Sequence, residues 1–143
     1  MTIQQLTVFV ENRQGSLSAI TDLLAKEKID LRALSIADTK EYGILRLIVN
    51  DAKKALAALE KNGFLVRITE VLGVILPDEP GALSGALKAL DSAGVNVEYL
   101  YAFLTRTERD AYMVLRVADN AAAETILTNA GYRTISAGDV ATL

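Results

Sequence analysis

Cysteine and histidine are both absent from this 143-residue chain. Without cysteine there is no disulfide framework and no thiol chemistry. Without histidine there is no imidazole acid–base catalysis, and with both missing the common zinc ligation goes as well. No glycine-rich phosphate loop or dinucleotide fingerprint is present, since Glu60 to Gly63 and Gly81 to Gly85 lack the spacing. A basic face is missing too: 18 acidic against 15 basic residues give a net charge of −3, which argues against nucleic acid as a partner. No apolar run is long enough to cross a bilayer, and Met1-Thr2-Ile3-Gln4-Gln5 does not begin a signal peptide, so a cytoplasmic chain with no membrane partner is expected. The carboxylates are scattered over helix faces and turns, as on a solvated surface. Few side chains remain to do chemistry, and the expectation is a protein that is not an enzyme and needs no cofactor or metal.

What the chain does have is an internal repeat. With Val8 set over Val74, the run Val8-Phe9-Val10-Glu11-Asn12-Arg13-Gln14-Gly15-Ser16-Leu17-Ser18 lies over Val74-Ile75-Leu76-Pro77-Asp78-Glu79-Pro80-Gly81-Ala82-Leu83-Ser84. Ile29-Asp30-Leu31 then falls on Val95-Asn96-Val97, and Leu24 on Leu90. After a two-residue insertion in the second copy, Leu47 meets Leu115, Asp51 meets Asp119, and Gly63-Phe64 meets Gly131-Tyr132. Units of roughly 70 residues are too long for solenoid repeats and suit two small domains of one fold, here residues 1–69 and 70–143. A unit of that size buries only about 60% of its unfolded surface. With 51% hydrophobic residues in the chain, apolar surface is expected to be buried between the copies or between chains.

Within each copy the apolar period switches between two and 3.6. Leu6, Val8 and Val10 alternate as a strand, and Leu17, Ile20, Leu23 and Leu24 follow as a helical stripe. Two strands come next, Leu34 to Ala37 and Ile44 to Val49, joined by a turn at Lys40 to Gly43. Asp51 is a plausible N-cap, Gly63 a helix end, and Phe64 to Thr69 a fourth strand. The second copy repeats this order with strands at Val71 to Leu76, within Val95 to Thr105, at Ala111 to Val117 and at Tyr132 to Ser136. Strand, helix, strand, strand, helix, strand is the split βαβ arrangement: α+β, with an antiparallel sheet and both helices on one face. Several strands are apolar on both sides, as in Tyr99 to Leu104 and Ile44 to Val49. A sheet wet on one side alternates cleanly, so the helix-free side is expected to be covered by another sheet or another chain. Almost no linker separates the copies, Val66 to Leu76 running strand into strand with only Gly73 as a soft point, and they must pack side by side or share strands.

The loop after each first strand is the candidate site. Pro80 suits the first helical position, leaving the amides of Gly81, Ala82 and Leu83 as free donors at a helix N-terminus, where a carboxylate is attracted. Asp78 beside them suits an ammonium group, and together these groups describe an α-amino acid pocket. The same Pro-Gly pair equally serves as a plain helix start after a tight turn.

These residues carry a resemblance. Asp78-Glu79-Pro80-Gly81-Ala82-Leu83, its counterpart Asn12-Arg13-Gln14-Gly15-Ser16-Leu17, and the helix exit Gly94-Val95-Asn96-Val97 resemble the ACT domain, a small ferredoxin-like βαββαβ module that binds amino acids and regulates metabolic enzymes. The resemblance covers the whole chain as a tandem pair with no enzyme domain attached. It implies modules joined edge to edge or face to face, with an effector at the seam between the first loop of one and the second strand of a neighbour. Carried over, one site would draw on Asn12, Arg13, Gln14, Gly15, Ser16 and Leu17 with Leu34, Ser35 and Ile36. The other would draw on Asp78, Glu79, Pro80, Gly81, Ala82 and Leu83 with Leu100, Tyr101 and Ala102. Gln14 in place of proline, and Arg13 opposite Glu79, mean that the two sites need not be equivalent.

The function this implies is that of an amino-acid-binding regulatory protein, a homodimer or higher symmetric oligomer that signals through protein contacts, with a regulated enzyme as a possible partner. The alternative is a regulatory or assembly subunit with vestigial pockets, like the small subunit of acetolactate synthase. An acylphosphatase-like enzyme would need Arg13 in a phosphate cradle that the neighbouring residues do not supply. RNA binding lacks the aromatic motif on the third strand.

Overall fold

The computed structural model describes residues 1–143. The first unit consists of β1 (Ile3–Glu11), α1 (Ser16–Lys26), β2 (Leu31–Asp38), β3 (Tyr42–Val49) and α2 (Ala52–Lys61). It closes on β4 (Val66–Pro77), which also opens the second unit; α3 (Ala82–Ser92), β5 (Val97–Ala102), β6 (Asp110–Val117), α4 (Asn120–Asn129), β7 (Arg133–Ile135) and α5 (Ala137–Thr142) follow. No helix is long and apolar enough to cross a membrane.

The repeat is visible in the helix ends. Asp51 and Asp119 accept hydrogen bonds from the backbone N–H of Lys54 and Ala122, so each satisfies a donor left over at the start of α2 or α4. All four long helices stop in the same way. The amide after the left-handed residue reaches back five residues, from Ile29 to Leu24, Phe64 to Leu59, Val95 to Leu90 and Tyr132 to Leu127. Three of the left-handed positions are Gly63, Gly94 and Gly131; the fourth is Lys28, at φ 55°. A Cβ in that conformation meets a carbonyl oxygen, and Gly avoids the penalty. Lys28→Gly is therefore expected to stabilise the protein by about 0.5–1 kcal/mol, raising the melting temperature by roughly 1–4 °C. A lower melting temperature for K28G would contradict this account of the helix end.

Strands run in the order β2-β3-β1-β4-β6-β5, with β7 also on β4. The last strand of the first copy and the first strand of the second, which the sequence reads as separate, are one strand. Its residues Val66 to Val71 pair with β1, and Leu72 to Pro77 pair with β6. Gly73, the apparent soft point of that stretch, is a point of tight packing: a Cβ there would lie 2.8 Å from Ile135 Cβ.

The layers are helices, sheet, sheet, helices. Leu6, Val8, Val10, Leu45 and Leu47 face Ile20, Leu24 and Leu59 of α1 and α2. Val74, Leu76, Leu115 and Val117 likewise face Ala86, Leu90 and Leu127 of α3 and α4. The two helix-free faces meet in a middle core of Ile3, Ala33, Ile48, Val71, Tyr101, Phe103, Val114 and Ile135. Each fully buried aliphatic side chain there is worth about 1.5–3 kcal/mol, so the joint between the units is part of the protein's core. The covering that the two-sided apolar strands require thus comes from the other copy's sheet within the same chain. An antiparallel bridge from Ala33 to Phe103 joins the ends of the strand path.

Helix α5, not foreseen from the pattern, seals this joint. Ser136 and Asp139 cap it reciprocally, the Ser136 hydroxyl accepting from the Asp139 amide and the Asp139 carboxylate from the Ser136 amide. Arg32 of β2 donates to the carbonyls of Val140 and Ala141 at its far end, 3.1 and 3.0 Å away.

At the centre of the middle layer Gln5, 0% exposed, breaks the apolar pattern. Its amide nitrogen donates to Thr7 Oγ1 and to the Tyr99 hydroxyl, and its oxygen accepts from the Tyr101 hydroxyl at 2.7 Å. Burial, with a smaller push from Tyr99 and an opposing pull from Arg46, drives the Tyr101 phenol far above its ordinary range. The stability carried by the neutral phenol is whole below the unfolded value of about 10 and is lost as pH rises past it toward the folded value. On alkaline titration, one of the five tyrosines is expected to ionise only as the near-ultraviolet circular dichroism collapses. Full tyrosine ionisation in a protein that keeps its tertiary signal would contradict this.

Candidate functional site

The two loops that follow β1 and β4 have one backbone despite different sequences. Gly15 and Gly81 precede their helices at φ 87° and 88°. In the first loop Arg13 N–H donates to Glu11 O, Ser16 N–H to Arg13 O, and Ala19 N–H to Gly15 O. In the second the same bonds run from Glu79 to Pro77, Ala82 to Glu79, and Gly85 to Gly81. Gln14 therefore does the backbone work of Pro80, and Pro80 lies ahead of Gly81 in the turn, not inside the helix as the sequence reading has it. Neither glycine position supplies a side-chain cap. The amides of Leu17 and Ser18, and those of Leu83 and Ser84, make no backbone hydrogen bond and remain free for an anion.

Around the first loop the chain forms an open groove of about 590 Å³. Glu11, Arg13, Gln14, Gly15 and Ser16 form one side; Phe9 and the Gly63-Phe64-Leu65 segment after α2 form the other. A smaller recess of about 70 Å³ sits between Asn12, Arg13, Ser16 and Leu17 and the second-strand residue Ile36, with Asp38 and Gly43. Asn12 fixes the loop to the β2–β3 turn, its amide donating to Glu41 O and its side chain to Thr39 O, both at 3.0 Å. Arg13 Nε lies 2.8 Å from the Glu11 carboxylate, and both side chains are exposed. Leu34 and Ile36 project on the helix side of the sheet edge, 41% and 44% exposed, beside Leu17 at 44%. Ser35, between them, faces the opposite side.

The second loop is closed by its own hairpin. Asp78 N–H donates to Arg109 O at 2.8 Å, and its carboxylate lies 3.3 Å from Arg106. Glu79, Pro80 and Gly81 are exposed, while Ala82, Leu83 and Leu100 pack on the second helical core. Ala102 is exposed and Tyr101 is turned into the middle layer, so the structure does not bring these residues together. The groove of this copy runs along α3 past Leu83, Ser84, Leu87, Lys88 and Asp91. Tyr112 stacks edge-on against Phe103, with centroids 6.3 Å apart, and Tyr99 lies under Arg46.

Sequence reasoning missed Phe9, Glu11 and Gly63 to Leu65 as groove residues. The repeated Gly-Phe and Gly-Tyr helix exits are the one signal that marks the far wall, and only pairing places it beside the loop: Phe9 N–H donates to Leu65 O at 3.0 Å.

Comparison with known proteins agrees with this architecture. None of the curated proteins matches the chain. A crystal structure of a Bacteroides thetaiotaomicron protein is 39% identical and superposes with a TM-score of 0.93, over 100% of this chain and 98% of that one. The ligand-free regulatory subunit of aspartate kinase from Thermus thermophilus is 17% identical, with a TM-score of 0.68 over 90% and 92% of the two chains. Its Thermus flavus counterpart, also 17% identical, gives 0.62 over 89% and 91%. At that identity the likeness to the aspartate kinase subunits is one of fold. The family model described as an ACT domain pair matches residues 1–143, and the chain belongs to that family.

Proposed function

We propose that this chain is a cytoplasmic regulatory protein that binds a small amino acid at its first loop and passes occupancy on through a protein contact. The observation that carries the reading is the open groove lined by Glu11, Arg13, Gly15 and Ser16, next to the start of α1, where the amides of Leu17 and Ser18 have no backbone partner. The Arg13–Glu11 pair is a surface pair worth about 0–1 kcal/mol, so opening it costs little. A zwitterion replaces it twice over, its carboxylate going to the loop amides and Arg13 and its ammonium to Glu11. Phe9, Phe64 and Leu65 then form the wall for its side chain. The aspartate kinase regulatory subunits named above use the same fold.

The second loop differs in its surroundings: the groove of that copy runs along α3, lined by Leu83, Ser84, Leu87, Lys88 and Asp91, and Asp78 and Gly81 stand outside it, closed by their hairpin. We assign it a structural role. That closure also favours the second reading, a regulatory or assembly subunit of a metabolic enzyme, should the first loop prove empty as well. Leu17, Leu34 and Ile36 form an exposed apolar strip along the β2 edge beside the loop, and a second copy docked there makes a homodimer with the effector at the seam. The unit boundary falls within β4, near residues 69 and 70.

A melting-temperature screen against the twenty amino acids tests the reading. At a hundred times its dissociation constant a native-state ligand adds about 2.7 kcal/mol, a shift of several degrees. One or two amino acids are expected to produce it. No shift with any, on folded protein, would move the assignment to the subunit reading.

A further inference from the structure

The helix-free face of the first unit is only partly roofed. The second unit covers it over Ile3, Ala33 and Ile48 and leaves its far end open, where Phe9 is 45% and Leu65 69% exposed. Between the covered and open parts lies one cross-strand row: Ser35 pairs with Arg46, Arg46 with Thr7, and Thr7 with Arg67. Arg13, Arg32, Arg106, Arg116 and Arg133 each have a carboxylate partner; Arg46, Arg67 and the loop residue Arg109 have none, and only Arg46 and Arg67 share this row. Two strand spacings, about 10 Å, separate their backbones, a span that two arginine side chains close on one small anion. Arg46 is held in place by Tyr99 of the second unit, whose ring centroid lies 3.7 Å from the guanidinium carbon. Its Nε–H is buried and lacks an acceptor. A guanidinium that is oriented, partly desolvated and short of an acceptor is prepared for a carboxylate or phosphate oxygen.

The surroundings narrow the class. The positions flanking the row on this face are Gln5 and Thr69 on one side, Phe9, Ile44 and Ala37 on the other, all neutral. None of these positions offers an acid to an ammonium group, which two guanidiniums would repel, and Glu98 across the joint is paired with Arg116. A groove of about 220 Å³ runs from Thr7 and Arg67 to Phe9 and Leu65, so the polar end continues into an apolar one. The geometry points to a second binding site, for a small carboxylate that has a short apolar chain and no amino group, such as a 2-oxo acid. This site lies at the joint: Arg46 rests on Tyr99, and Tyr99, Gln5 and Tyr101 are linked by hydrogen bonds across the two sheets. An anion held by Arg46 therefore tightens the contact between the units; the site shares the apolar wall of Phe9 and Leu65 with the first-loop groove but none of its polar groups.

The test is a titration of the full chain with 4-methyl-2-oxopentanoate, with leucine and inorganic phosphate in parallel, followed by tyrosine fluorescence and calorimetry. The oxo acid is expected to bind saturably and to weaken about tenfold or more in R67Q and in R46Q, as loss of one charge-assisted contact implies. R109Q, an exposed arginine outside the row, is the control and is expected to bind as the wild type does. Arg67 is also exposed, so R67Q reads binding without a folding defect. Leucine binding, where present, is expected to be indifferent to both substitutions. The proposal is overturned by absence of saturable oxo-acid binding, by affinity unchanged in R46Q and R67Q, or by phosphate binding as tightly as the oxo acid. It is equally overturned if the two substitutions alter only the oligomeric state.

Discussion

Gly73→Val is expected to weaken the whole protein, at or above the upper end of the roughly 1–3 kcal/mol that overpacking usually costs. A Cβ at position 73 would stand 2.8 Å from Ile135 Cβ and 3.2 Å from Ile3 Cδ1. Neither neighbour has room to retreat, since both are 1% exposed within the middle core. The two added methyl groups force β7 away from β4 or part the two sheets. Because β4 belongs to both sheets, the damage is not confined to one unit: far- and near-ultraviolet circular dichroism should fall together in one denaturant transition at a lower midpoint. Gly73→Ala should fall between the wild type and the valine variant. A valine variant as stable as the wild type would contradict the face-to-face packing of the sheets.

Gly15→Asp is expected to reduce amino-acid affinity by about a hundredfold or more while leaving the chain folded. The backbone at Gly15 is left-handed, and a Cβ there costs about 1–2 kcal/mol in strain. It meets no other atom within 4 Å, so there is no clash to add. The binding loss has a separate cause. The new carboxylate stands beside the Leu17 and Ser18 amides, competing for the charge that the ligand carboxylate needs and repelling it. Gly15→Asn, neutral and more tolerant of left-handed backbone, should lose much less affinity. Gly81→Asp carries the same backbone penalty in the second loop and should leave affinity near the wild-type value. Calorimetric titration of the three variants separates loop strain from ligand competition, and equal losses in G15D and G81D would contradict the assignment to the first loop.

Local chemistry was readable wherever two copies could be compared. Asp51 over Asp119 and Gly63 over Gly131 located two helix starts and two helix ends, because a cap depends on a few adjacent residues. Strands apolar on both sides, such as Tyr99 to Leu104, announced a covered sheet, and the cover is the partner unit. The single strand β4 was harder to see, because Gly73 reads as a break in one dimension and as a close contact in three. Gln5 gives no local signal: it occupies a strand position, and its three hydrogen bonds reach Thr7, Tyr99 and Tyr101. At the candidate site, the loop residues could be named from sequence, whereas Phe9 and Leu65 enter only through the β1–β4 pairing. Tyr101 carried the second-strand expectation for the second copy, and burial against Gln5 places it in the joint.

The central claim is that the first loop holds an amino acid by its free backbone amides. The direct measurement is a nitrogen–proton correlation spectrum of labelled protein, followed through a titration with the amino acid that raises the melting temperature most. The account predicts progressive, saturable downfield movement of the Leu17 and Ser18 amide resonances, with those of Leu83 and Ser84 unmoved. Binding that leaves Leu17 and Ser18 in place would contradict it.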